Sequence, residues 1–213
     1  MYNKNKRMLT VGLTGCRFSG KTMVGKLFKQ VGVPVFNSDV ILKFILNFRI
    51  SSDAYIKNAF GEDVFKNGFL DIDRFDNDED FNKLIDIAEF ELFQTWETFK
   101  DKNKNAAYII FESSIIYERN YKSKFDAIIS VFAPIQDRVY RCKQDTGIMS
   151  EYAWDMFSKE VSEIDKNQIS NYIIHNYESA SDILTQVNNI DKEIIDIVLK
   201  KDTSNLSISR LLF

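Results

Sequence analysis

The stretch LTVGLTGCRFSGKT, Leu9 to Thr22, decides how the rest of the chain is read. An apolar run with β character (Leu9, Val11, Leu13) feeds into Gly15-x-x-x-x-Gly20-Lys21-Thr22, and a helical pattern (Val24, Leu27, Phe28, Val31) follows. A loop wrapped around a di- or triphosphate must turn backbone N–H groups inward, and Gly15 and Gly20 allow the close approach and unusual dihedrals this needs. Lys21 supplies charge to the β- and γ-phosphates, and Thr22 sets a hydroxyl where Mg²⁺ is held. The helix beginning near Gly20 aims the positive end of its dipole at the anion. The strand before the motif and the helix after it are the context a phosphate-binding loop requires; the alternative is a glycine turn in a βα unit with an incidental lysine. Gly15, Cys16, Arg17, Phe18, Ser19, Gly20, Lys21 and Thr22 are therefore the expected nucleotide-binding residues. Arg17 can either reach phosphate or point outward. Backbone amides and Lys21 around Cys16 predict a thiolate-prone, reactive thiol without a catalytic role.

The 213 residues suffice for one sizeable core, and one α/β domain spanning 1–213 is expected. A net charge of −3 gives no electrostatic reason to expect a nucleic-acid surface, so the partner is expected to be a small molecule. Two cysteines, Cys16 and Cys142, offer neither a disulfide framework nor zinc spacing, which fits a reducing cytoplasm. The basic opening MYNKNKRM precedes an apolar stretch too short for a membrane span, so no membrane is expected.

After the first helix, Gly32 gives a stop and Val33 to Phe36 a second strand, which delivers Asn37, Ser38 and Asp39 at its carboxyl end. Helices are expected at 38–47 and 54–60, an acidic surface connection with a turn at Gly68 over 62–80, and a long amphipathic helix over 79–100. Apolar runs at 106–111 and 125–133 read as buried strands, the first ending at Glu112. A polar helix with Arg138, Arg141 and Lys143 ends near Gly147, a second runs from Ser150 to about Val161, and a last strand, Tyr172 to Ile174, leads to His175 and Asn176. A closing helix reaches Leu199, with a loosely held tail from Asp202. Five strands alternating with helices imply a parallel sheet with helices on both faces. The segment 134–168 reads as a helical lid and 48–101 as an acceptor-side helical region.

Ligands of an open parallel sheet bind at the carboxyl ends of its strands, where Asp39 and Glu112 both fall. Asp39 is a candidate general base and magnesium ligand, or else an ordinary first-turn aspartate. Glu112 can hold magnesium through water, orient substrate, or make a structural hydrogen bond. Arg141 is the lid cation expected at the transferred phosphate; for Arg138, Lys143, Lys159 and Lys166 a solvated basic face is expected. His175, the only histidine, is expected to pack locally.

On these residues the chain resembles the dephospho-CoA kinase family, whose members begin with a run like VGLTGGIGSGKS followed by GVPVIDAD. Here stand VGLTGCRFSGKT at 11–22 and GVPVFNSD at 32–39, then YIIFESS at 108–114, FDAIISVFAP at 125–134 and YIIHNYES at 172–179. The resemblance implies an ATP- and Mg²⁺-dependent kinase with Lys21, Asp39 and Arg141 catalytic, Asp39 as base, and Asn176 in a loop beside the adenine. The family's His-Pro pair is absent from the long helix, where DIAEFEL stands, and Asp145 occupies the place of its second lid arginine. A further lid arginine falls on Met156, and the glutamine after it on Glu160. These departures leave a nucleoside monophosphate, as for a viral deoxynucleotide kinase, as the alternative acceptor to dephospho-CoA. A nucleotide-binding module without turnover is the third reading.

Overall fold

A computed structural model describes residues 7–48, 50–71, 74–75, 78–177 and 179–209, with backbone alone for 50–53, 78 and 201–209. The basic opening before Arg7 lies outside these residues. The chain divides into two compact units, 1–36 with 103–213, and 37–102.

The first unit is built on five strands, β1 (Leu9–Thr14), β2 (Val35–Asn37), β5 (Tyr108–Glu112), β6 (Ala127–Phe132) and β7 (Tyr172–His175), in the order β2-β5-β1-β6-β7. The β1 pairings with β5 and β6 are parallel, as is β6 with β7. β1 is thus central, and chain direction across the sheet reverses beside it, the place where such sheets bind ligands. Strand alternation sorts the side chains. Leu9, Val11, Leu13, Ile110, Ile129 and Val131 pack with Val24 and Phe28 of α1 (Lys21–Gln30) and with Val187, Ile190 and Ile194 of α8 (Ala180–Ser209). The opposite face carries Ile109, Phe111 and Ile128, all buried. Glu112 is paired with Leu13 and so shares the α1 face, although it is the one charged residue of β5.

Three helices lie between β6 and β7: α5 (Ile135–Thr146), α6 (Ser150–Ser158) and α7 (Glu163–Gln168). The sequence leads one to expect two. Ser162 caps α7, its hydroxyl accepting from the Asp165 N–H at 3.1 Å, so S-x-x-D ends the preceding helix and starts a new one. The closing helix also runs past Leu199 to Ser209, since no glycine or proline follows to stop it, and the expected loose tail from Asp202 is helical to that point.

The second unit holds α2 (Ser38–Phe48), α3 (Ile50–Phe60), α4 (Asp78–Lys102) and a small antiparallel hairpin of β3 (Phe65–Lys66) and β4 (Phe69–Leu70). The hairpin replaces the featureless connection expected over 62–80. Its Asn67-Gly68 turn has φ of 54° and 83°, the left-handed pair that closes two-residue hairpins. The Leu70 N–H donates to the Asn47 side chain at 2.7 Å. Leu84, Ile85, Ala88, Leu92 and Trp96 form the buried stripe of α4, so its apolar residues pack as the spacing predicts.

A Cβ at Gly12 in β1 would displace the side-chain ends of Ile128, at 2.7 Å, and Ile116, at 2.9 Å, and press on the Phe125 ring at 3.1 Å. Gly12→Val should therefore lose about 1–3 kcal/mol of stability by overpacking, read as a lower denaturation midpoint at unchanged slope.

Candidate functional site

At the carboxyl end of β1 the loop 15–20 turns on two glycines, Gly15 (φ 149°) and Gly20 (φ 96°). Neither tolerates a Cβ: at Gly15 it would lie 2.5 Å from the Val131 carbonyl oxygen, at Gly20 2.0 Å from the Asn176 amide nitrogen. The loop fits an anion by its chemistry. Lys21, nearly buried, folds back to donate to the Gly15 and Cys16 carbonyls at 2.9 and 3.2 Å. Among the described residues the buried Ser19 hydroxyl has no hydrogen-bond partner. Lys21 is thus held at the loop's mouth by contacts that a phosphate could replace.

Next along α1, the Thr22 hydroxyl donates to Glu112 Oε1 at 2.7 Å. Glu112 reaches it because β5 presents the carboxylate to α1, and because Gly25, one turn on, leaves space: a Cβ there would lie 2.8 Å from Oε2. A hydroxyl and a buried carboxylate are hard oxygen donors of the kind a divalent cation takes. Among the described residues no group of three or more His, Cys, Asp or Glu could hold a metal alone, so a cation here would need oxygens of the bound phosphates.

The outer side of the loop is gripped by α5 and by the residue after β7. Arg141 Nη1 donates to the Phe18 and Ser19 carbonyls at 3.1 and 3.2 Å, and Nη2 to the Asn176 carbonyl at 2.6 Å. Asn176 Nδ2 donates to the Ser19 carbonyl at 2.6 Å. Arg141 and Asn176, expected at the nucleotide, thus meet at the loop itself. Arg138, expected on a solvated face, is buried; its Nε donates to the Arg17 carbonyl at 2.7 Å, and its guanidinium pairs with Glu160 and lies 3.7 Å from Glu163. It also covers the Phe157 ring at 4.6 Å. Lys166 likewise leaves the solvated face expected of it: it is buried and donates to Glu118 at 2.6 Å and the Ser114 carbonyl at 3.3 Å. Lys159 does stay on the surface, paired with Asp155. Arg17 turns to Glu160 at 3.3 Å and to the Met156 sulfur at 3.2 Å.

The expectation for Cys16 is overturned. Its thiol is 1% exposed and donates to the Val161 carbonyl at 3.4 Å. Burial, reinforced by the Glu163 carboxylate, pushes the thiol up from 9.0 to about 12. The amides and Lys21 face the anion side of the loop, whereas the side chain is turned to the base of α7. Burial also pushes Glu163 itself upward, the Arg138 guanidinium pulling it back. His175 sits between the rings of Phe132 and Tyr177, at 5.8 and 5.5 Å, as local packing requires. Asp39 is the second residue of α2, within 3.5 Å of the Ser38 hydroxyl, and belongs to the other unit.

A parallel sheet whose central strand runs into a glycine loop, with a lysine and a threonine opening the helix after it, defines a P-loop nucleotide-binding protein. The comparisons narrow the class. The family model described as dephospho-CoA kinase matches residues 9–182. A dephospho-CoA kinase of Latilactobacillus sakei is 23% identical over 187 residues, covering 84% of this chain and 93% of that protein. A crystal structure from Thermus thermophilus superposes with a TM-score of 0.76 at 21% identity, covering 88% and 98% of the two chains. A dephospho-CoA kinase from Campylobacter jejuni does so with 0.62 at 17% identity, covering 88% and 97%. The chain belongs to the dephospho-CoA kinase family, and so to the ATP-dependent phosphotransferases.

Native protein should resist alkylation at Cys16 at neutral pH, with and without MgATP, and become labelled there once unfolded; peptide mapping by mass spectrometry reads this. The folded thiol keeps its proton up to about pH 12 while the unfolded one sheds it from 9.0, so its contribution is full below pH 9 and is lost as the pH rises toward 12.

Proposed function

We propose that this chain transfers the γ-phosphoryl group of ATP to the ribose 3′-hydroxyl of dephospho-CoA. The observation that carries the reading is the Thr22–Glu112 hydrogen bond beside Lys21 at the end of the central strand, in a chain whose relatives bear this name. The loop amides and Lys21 bind the phosphates, Thr22 and Glu112 hold Mg²⁺, and Asn176 lines the adenine side. Mg²⁺, where bound, neutralises charge on the β- and γ-phosphates. Asp39 is the general base, read from its similarity to the family's catalytic aspartate and its place after β2. As the acceptor oxygen bonds to the γ-phosphorus, the bond to the bridging oxygen of ADP breaks and Asp39 takes the hydroxyl proton. Lys21 stabilises the charge that develops on the transferred group, while Arg141, held to the Phe18, Ser19 and Asn176 carbonyls, fixes the loop that binds the phosphates. The chain acts as one kinase domain, with 134–168 as its lid and 48–101 on the acceptor side. It works in the cytoplasm, in keeping with two buried cysteines that form no disulfide.

Radiolabelled ATP offered against dephospho-CoA and the deoxynucleoside monophosphates in parallel tests the acceptor. Labelled CoA is the expected product; a labelled nucleoside diphosphate in its place overturns the proposal. Asp39→Asn should lower kcat on dephospho-CoA by about two to four orders of magnitude with ATP affinity kept, because charge is removed while size is preserved. An unchanged rate would remove Asp39 from the mechanism. Lys21→Ala should abolish transfer with the unfolding midpoint retained, activity and thermal denaturation being measured side by side.

A further inference from the structure

Phe18 sits in the middle of the phosphate loop with φ of 57°, a left-handed conformation that a residue with a Cβ adopts only under constraint. Something must hold it there. The carbonyls on either side of its Cα are both occupied: Arg138 Nε donates to the Arg17 carbonyl at 2.7 Å, and Arg141 Nη1 to that of Phe18 at 3.1 Å. The two arginines are three residues apart on α5 and so share one of its faces. In a trans peptide the C=O of one residue and the N–H of the next point in opposite directions. Fixing the carbonyls of Arg17, Phe18 and Ser19 toward α5 and Asn176 therefore turns the amides of Phe18, Ser19 and Gly20 away from them. Of these, the Ser19 N–H closes a turn on the Cys16 carbonyl at 3.2 Å. Those of Phe18 and Gly20 keep the direction the arginines impose.

Arg138 is suited to this by its own surroundings. It is 3% exposed, its charge is met by Glu160 and Glu163, and its guanidinium lies on Phe157, whose ring is in turn 5.8 Å from that of Phe18. A guanidinium held on three sides has one rotamer, and its Nε–H has one acceptor, the loop carbonyl. We propose that Arg138 is a positioning residue for phosphoryl transfer: it fixes the peptide between Arg17 and Phe18 so that the loop is shaped for phosphate before nucleotide arrives. It touches no substrate. This rests on the loop being the phosphate site and adds the residue that organises it.

Arg138→Lys is the test, since it keeps a cation beside Glu160 and Glu163 and loses the Nε–H. MgATP dissociation constants, the unfolding midpoint and amide hydrogen exchange at 17–20 are measured on the full chain. A hydrogen bond from a charged donor implies about a tenfold weaker MgATP affinity, faster exchange at Phe18–Gly20 without nucleotide, and a midpoint close to wild type. Adding Phe18→Gly should recover part of the lost affinity, because glycine adopts the left-handed conformation unaided. Wild-type affinity and exchange in Arg138→Lys overturn the proposal, as does a loss that merely tracks the unfolded fraction. Should Arg138→Lys not fold, Arg138→Met with Glu160→Gln and Glu163→Gln removes the guanidinium and both carboxylates that meet it and carries the same readouts. If wild-type protein itself fails to bind MgATP, the phosphate-site reading falls, while the exchange arm, which needs no nucleotide, still decides on Arg138.

Discussion

A backbone that turns N–H groups toward an anion must turn its carbonyls the other way, and those carbonyls then need donors of their own. Much of the first unit is arranged around that constraint. The Gly15 and Cys16 carbonyls take Lys21, that of Arg17 takes Arg138, and those of Phe18 and Ser19 take Arg141, with Asn176 as a second donor to Ser19. Each donor comes from a different level of the fold. Lys21 opens α1, the arginines lie on α5 after β6, and Asn176 follows β7. The parallel pairing of β1, β6 and β7 brings the ends of all three strands to one edge, which is how Asn176 reaches the Ser19 carbonyl, 157 residues earlier in the chain.

Burying arginine behind the loop requires neutralisation, and the α6–α7 corner provides it. An unpaired guanidinium at that depth would be strongly destabilising, whereas Glu160 and Glu163 leave Arg138 compensated on the side away from the loop. Glu163 is the less closely held of the two carboxylates: it lies 3.7 Å from the Arg138 guanidinium, and burial raises its affinity for a proton. Lys166, one turn further along α7, ties the same corner to Glu118 and Ser114 in the segment after β5. The corner is therefore pinned to the sheet's edge on two sides.

The phosphate loop, its strand and its helix were legible because each rests on local chemistry, glycine at turns and apolar period along strand and helix. The buried stretches ending at Glu112 and near Ala133 were legible for the same reason. What escaped was set by partners distant in sequence. Arg138 reads as one more cation on a polar helix, yet it lies three or four residues from Ile135 and Cys142, on the stripe that packs. That spacing was a usable signal. The side-chain direction of Cys16 was not, because amides and a lysine beside it in sequence say nothing of which face of the loop the thiol takes. The hairpin at Asn67-Gly68 was hidden by its acidic flanks, although Asn-Gly is a strong short-range turn signal. Asp39 remains a reading of position and similarity, since it belongs to the second unit.

Three consecutive side chains of the loop have gone to the same neighbourhood. Cys16 reaches the Val161 carbonyl, Arg17 reaches Glu160 and Met156, and the Phe18 ring joins a cluster with Phe157, Val139, Cys142 and Ala153. In the family run quoted above, the first and third of these places are glycines, which can contribute no such contacts. Here the loop is tied by side chains to α5, α6 and the start of α7, the segment proposed above as a lid. A displacement of that segment would pull on Cys16, Arg17 and Phe18 together, and through them on the peptide planes that face the anion. The shape of the loop and the placing of 134–168 therefore share one set of side-chain contacts, which glycines at 16 and 18 could not supply.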